Sequence, residues 1–311
     1  MLLLALTALS ADPPPPPIVN GTATDDYPQA VMLRHATSDW RTVYICTGTL
    51  IAPDWVLTAA HCLTDPYDEG LTELNVYMGT VWARDAPEQS ADDWFTHPDY
   101  FVSDDGGTII ADLGLVHVPR PYDVDGNVLN ALPLTDSDIG TDYRYVGWGS
   151  SDDDANDAGY TKRYVDIPLV GFEDEFLLGY DPGGGATCGG DSGGPVFALD
   201  GDDVGALVAV HSFGRDDDGT LCAGSTSGDT RVDLYVDWIA SEVDVRTNAE
   251  GSEDPEPEDS GGDDTSDTDE DTEPTRTPED EEEGGCSTSG GRAGIVGLLA
   301  GMLTRRRRPV G

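Results

Sequence analysis

Between residues 27 and 245 the chain is a succession of short apolar and β-branched runs, each stopped within a few residues by Gly, Asp or Pro. The runs fall at 30–33, 42–45, 48–51, 74–78, 113–118, 144–147, 162–168, 195–198, 206–211 and 225–232. None is long enough for a packed helix, and the turn residues between them favour antiparallel strands. Many short strands at regular spacing close into barrels or a sandwich. One helical pattern follows them, at 233–243, where Leu234, Tyr235, Trp238 and Ile239 share a face.

One stretch in this β text is built differently. Thr187-Cys188-Gly189-Gly190-Asp191-Ser192-Gly193-Gly194-Pro195-Val196 places a serine among four glycines. Glycine takes positive φ without a Cβ penalty, so such a loop can aim two N–H groups at one point, those of Gly190 and Ser192. Gly193, Gly194 and Pro195 keep the chain out of a helix and leave the hydroxyl uncovered. A serine hydroxyl needs a base to take its proton and donors to hold the resulting oxyanion. A histidine is offered by Thr58-Ala59-Ala60-His61-Cys62, after the apolar run Trp55-Val56-Leu57, and a carboxylate by Asp112-Leu113-Gly114-Leu115-Val116. Of the other histidines, His97 reads as a surface residue, and His35, His117 and His211 as structural members of strands.

These three motifs, in the order His, Asp, Ser, resemble the chymotrypsin/trypsin family of serine proteases over residues 18 to about 245. The resemblance implies an all-β fold: two six-stranded antiparallel barrels, the triad in the cleft between them, and a closing C-terminal helix. It implies an endopeptidase with Ser192 as nucleophile, His61 as general base and then acid, and Asp112 orienting the imidazole. Gly190 and Ser192 become the oxyanion donors. Cys46–Cys62 and Cys188–Cys222 become disulfides, which require an oxidising compartment. Ile18-Val19-Asn20-Gly21 is similar to the family's mature N-terminus, whose ammonium would pair with Asp191. Pro17 stands where the family usually has Arg or Lys, so either an activating protease other than a trypsin-like one trims the polyproline segment, which is the favoured expectation, or the enzyme activates without a clean Ile18 terminus. The specificity pocket would have Ala186 at its floor and Ser212, Phe213 and Gly214 along its wall. A small apolar floor offers no counter-charge to a buried cation, which favours cleavage after apolar residues. Asp229 is the alternative pocket carboxylate: a slide of one or two residues in the alignment would bring it in and restore a basic preference. A catalytically silent homologue that binds peptides is the second reading, and a surface stalk working through its acidic tail a third.

Charge bounds the partners. The formal net charge is −45, of which residues 249–285, with 18 acids and Arg276 alone against them, carry −17. Residues 286–311 carry +5, and the first 248 residues carry −33. A domain so negative repels a phosphate backbone, which argues against nucleic-acid binding. Peptide or protein substrates fit it better. The acidic turns at 104–107, 152–159 and 216–219 lack the spacing of an EF-hand loop, so no metal and no cofactor is expected.

The ends read as address segments. Residues 1–11 form an apolar Leu/Ala run ending Leu9-Ser10-Ala11, a signal-peptide pattern without a basic start. Asp12 and five prolines, 12–17, form an extended pro-segment before the protease domain at 18–248. Residues 249–285 are too polar to bury a core and are expected to be disordered. Residues 286–311 combine Cys286, a short apolar run and Arg305–Arg308. This resembles the MYXO-CTERM class of bacterial sorting tails, with Gly pairs similar to GlyGly-CTERM tails. It implies export to the outer surface of a bacterium and a sorting protease acting near Cys286.

Overall fold

The computed structural model describes residues 18–37, 43–68, 70–71, 73–150, 160–201, 203–215 and 222–251. The expected signal peptide, pro-segment, sorting tail and nearly all of the acidic linker lie outside the described residues. In chain order the strands are β1 (Thr22–Ala23), β2 (Ala30–Ala36), β3 (Val43–Ala52), β4 (Trp55–Thr58), β5 (Glu73–Tyr77), β6 (Gln89–Ser90), β7 (Asp93–Thr96), β8 (Phe101–Val102), β9 (Ile109–Ile110) and β10 (Gly114–His117). Then come β11 (Asp142–Gly147), β12 (Arg163–Glu173), β13 (Phe176–Gly179), β14 (Pro195–Asp200), β15 (Asp203–Arg215) and β16 (Thr226–Arg231). Helix α1 (His61–Asp68) follows β4, and α2 (Val236–Glu242) follows β16.

The fold is all-β, in two large antiparallel sheets and one two-stranded sheet, β8-β9. The first runs β6-β5-β2-β3-β4-β10-β7 and curls into a half-barrel. The second runs β1-β12-β11-β14-β15-β16-β13, and pairing of β12 with β13 closes six of its strands into a barrel. The half-barrel is buried on both faces of β2, where every residue from Ala30 to Ala36 is inaccessible or nearly so. That is why its first four residues, 30–33, read as a continuous apolar run rather than an alternating one, with Arg34 and His35 buried beyond them. Strand β3 is a single strand where two runs were expected, because Cys46, Thr47 and Gly48 keep the ladder with β2 unbroken. Strand β12 continues past the expected stop at Pro168. It pairs with β11 up to that proline, shifts register between Leu169 and Gly171, and goes on with β13. A proline that cannot donate is tolerated at such a hand-over of partners.

Helix α2 seats Ile239, which is fully buried, in the core, and a truncation to Ala there costs about 2–5 kcal/mol. The Trp238 ring on α2 and the ring of Tyr235 just before it lie 4.7 and 5.1 Å from the ring of His97. His97, expected at the surface, is therefore buried, and its Nδ1 accepts from Asp99 N–H at 3.1 Å. In the turn at 104–107, Asp105 accepts from Ser103 Oγ and Gly107 N, so its carboxylate is spent on the turn itself. The other two acidic turns lie outside the described residues.

Candidate active site

Strand register brings the first two residues together. Gly114 pairs with Thr58 across β10 and β4, so the residues just outside that pair, Asp112 and His61, sit at the same end of neighbouring strands. Asp112 is buried. Its Oδ2 lies 2.8 Å from His61 Nδ1, and its Oδ1 accepts from His61 N–H at 2.9 Å. Two contacts to one residue fix the ring plane and hold the proton on Nδ1, leaving Nε2 as the basic nitrogen. A third donor arrives from the barrel: Ser212 Oγ–H donates a hydrogen bond to Asp112 Oδ2 at 2.5 Å. Burial opposes charge on both partners, but the pair wins. The attraction to His61 and the hydrogen bonds from His61 and Ser212 hold the Asp112 carboxyl below its ordinary range. For His61 burial works downward, yet the Asp112 charge and hydrogen bond leave the ring above its ordinary value.

Ser192 lies in the loop between β13 and β14, held from the half-barrel. Thr47 N–H donates to Ser192 O at 2.8 Å, and Thr47 Oγ1 donates to Gly190 O at 2.9 Å. Gly193 takes φ +78, and a Cβ on it would fall 2.0 Å from Thr58 Oγ1, so no other residue fits the crossing. Gly190 takes φ +101. Among the described residues no protein oxygen accepts from the N–H of Gly190 or Ser192, and no hydrogen bond joins Ser192 Oγ to His61. The ring and the loop nevertheless border the same atom: Cys62 Sγ is 3.8 Å from His61 Nε2 and 3.5 Å from Ser192 O. Both sulfurs beside the ring belong to the Cys46–Cys62 disulfide, so they are not the thiolates a metal would need. The second disulfide, Cys188–Cys222, ties the serine loop to the segment before β16. Cys286 lies outside the described residues.

Asp191 is buried, and its carboxylate accepts from Gly149 N at 2.7 Å and Cys188 N at 2.8 Å. Burial outweighs those bonds and raises its pKa to about 6. Ile18 is fully buried, with φ +45, and is joined by its peptide bond to Pro17, so it brings no charge to Asp191. Val19 and Ala186 exchange backbone hydrogen bonds of 2.9 and 3.2 Å, which docks the segment against the expected pocket floor. Phe213 packs edge-on to Phe176, with ring centres 5.1 Å apart, and lies over Gly228, where a Cβ would meet its ring at 2.1 Å. A groove of about 350 Å³ opens beside it, lined among others by Ile109, Glu173, Phe176, Phe213, Gly214 and Arg215. Asp229 is fully buried and accepts from Tyr145, Ser227 and His211. The role of Ser212 toward Asp112 was not read from the sequence, where Ser212 stood as pocket wall alone.

The family model named Trypsin matches residues 18–239. The chain belongs to the trypsin family. Among curated relatives, brachyurin of Leptuca pugilator is 29% identical over 65% of this chain and 89% of its own length. Tonin of Rattus norvegicus is 34% identical over 63% of this chain and 80% of its own, and trypsin of Phaedon cochleariae is 29% identical over 71% and 85%. Among solved structures, HL collagenase is similar with a TM-score of 0.58 and 25% identity, covering 74% of this chain and all of that one. Neuropsin from mouse brain, at 20% identity and the same TM-score, shares the fold. This trypsin-family chain is a serine endopeptidase, and its substrates are peptides or proteins.

Proposed function

We propose that this enzyme cleaves peptide bonds through a Ser192-His61-Asp112 triad and an acyl-enzyme. The observation that carries the reading is the buried Asp112 carboxylate gripping both the backbone and the ring of His61 while accepting from Ser212. Ser192 Oγ attacks the scissile carbonyl as its proton passes to His61 Nε2. The same proton then goes to the leaving amine, and water repeats the sequence to release the acid. The N–H groups of Gly190 and Ser192 hold the oxyanion, each worth about 100- to 1000-fold in rate. The contact between Ser192 and His61 tightens on substrate binding, as catalytic hydrogen bonds commonly do.

Activation would follow cleavage before Ile18 by a separate protease. The new ammonium would enter beside Asp191 and supply the counter-charge that its buried carboxylate lacks. Ala186 at the pocket floor favours apolar side chains before the scissile bond, and the three donors on Asp229 leave it little capacity to hold a substrate cation. The domain limits, export through residues 1–11, and surface sorting through residues 286–311 by a processing protease belong to the same reading.

A fluorophosphonate probe tests it. Chain beginning at Ile18 is expected to be labelled, Ser192→Ala to be unlabelled, and a diverse peptide library to be cut after apolar residues. Correctly folded wild type that takes no label would make the chain a binding homologue instead.

A further inference from the structure

Four polar side chains meet inside the closed barrel, away from the His61–Asp112 pair. His211 Nδ1 donates to Asp229 Oδ1 at 2.7 Å, while Asp229 Oδ2 accepts from Tyr145 Oη at 2.7 Å and Ser227 Oγ at 3.0 Å. All four are buried, Asp229 and Tyr145 almost completely. Burial and the neighbouring carboxylate hold the Tyr145 phenol well above its ordinary range, so it stays a donor. A buried pair of this kind gives little or no net stability over apolar residues of the same size. Its position suggests what it gives instead.

His211 is the residue on which the nucleophile loop rests. Its carbonyl accepts from Gly193 N–H at 2.7 Å, and its N–H donates to Gly194 O at 2.9 Å. The next residue, Ser212, donates to Asp112. The ladder between β15 and β16 pairs His211 with Asp229 and then shifts register before Phe213, so regular pairing lapses at Ser212 and does not fix the strand there. The side-chain anchor to Asp229 does. We infer that the His211–Asp229 pair, braced by Tyr145 and Ser227, is a positioning unit: it sets the His211–Ser212 backbone, and through it the distance between the Ser192 loop and the Asp112–His61 pair. This rests on the proposed serine mechanism, but it assigns to Asp229 and His211 a task other than pocket specificity.

The test compares Tyr145→Phe, which removes one hydroxyl and keeps the ring, with Asp229→Asn. For each, active sites are titrated with a fluorophosphonate, and kcat and KM are measured per titrated site on an apolar peptide substrate. Misplacing the loop by a fraction of an ångström is expected to lower kcat per site roughly 10- to 100-fold and to slow labelling in parallel, with KM within about twofold. Should Asp229→Asn fail to fold, Tyr145→Phe alone decides. Normal kcat per site in fewer sites would mean a purely structural cluster and overturn the proposal. So would a rise in KM alone, or new cleavage after Arg or Lys in His211→Gln, which would make Asp229 a pocket carboxylate. Wild type that is never labelled would instead remove the serine mechanism itself, a separate result.

Discussion

Asp191 offers a prediction whose size can be worked out. In the uncut chain its carboxyl is buried with two N–H donors and, beyond them, only the weaker attraction of His211, and its pKa stands at about 6 against 3.8 for an exposed aspartate. Between those two values the folded state holds the proton and the unfolded state does not. Stability must therefore fall as pH rises through this window, and the loss is complete above about pH 6. A displacement of roughly two pH units corresponds to about 3 kcal/mol. Other carboxylates of this acidic chain add their own pH dependence, so the measurement is a difference. Urea unfolding of uncut Ser192→Ala is compared with uncut Ser192→Ala/Asp191→Asn at pH 4 and pH 7. The first should lose about 2 kcal/mol more than the second over that interval, since at pH 4 the unfolded aspartate is already more than half ionised. The amide's cost against Gly149 and Cys188 is the same at both pH values and cancels. Cutting before Ile18 should abolish the difference, because the ammonium then stabilises the charged form. Parallel pH dependences of the two uncut proteins would refute the claim that Asp191 is buried without a counter-charge.

Other outcomes follow from the same geometry. Since activity needs neutral His61 and Asp112 raises that ring, the acid limb of kcat/KM should lie above pH 6.5; Asp112→Asn should move it lower and cost about 10⁴-fold in kcat. Ser212→Ala removes the shortest donor to Asp112 and should lower kcat by about tenfold, read with unchanged KM. Replacing Cys46 and Cys62 together by Ala opens a link with a sequence separation of 16 and should cost about 3 kcal/mol in denaturant unfolding. Gly193→Ala should abolish labelling by a fluorophosphonate, because its Cβ would overlap Thr58 and its φ is left-handed.

The sequence was most legible where chemistry is local. The loop around Ser192 and the segments at His61 and Asp112 each announce themselves within a few residues, and the β-branched runs mark most of the strands. What could not be read depends on residues far apart in the chain. His97 is covered by Trp238 and Tyr235, more than a hundred positions later, and nothing near His97 foretells that. Strand β13 is short, and its burial comes from β12 and β16 rather than from its own pattern. Helix α1 begins at His61 and contains Pro66, so its composition does not advertise a helix. The Tyr145–Ser227–Asp229–His211 cluster draws on three strands, and no periodicity in any one of them predicts that the four polar tips converge.

Ile18 holds its backbone in the left-handed region. A β-branched residue held at φ +45 sits on a conformational slope on the order of 1–3 kcal/mol high. That torsion is defined by the carbonyl carbon of residue 17. Hydrolysis of the preceding bond takes that carbon away, and the torsion with its penalty ceases to exist. Maturation would thus relax a spring in the same stroke that creates the charge, while the Val19–Ala186 bridge keeps the released end from straying. Under the proposed activation, an enzyme cutting there would first have to wait for the buried residue to swing out, and the pace of maturation would be set by how often this short segment lifts away from Ala186.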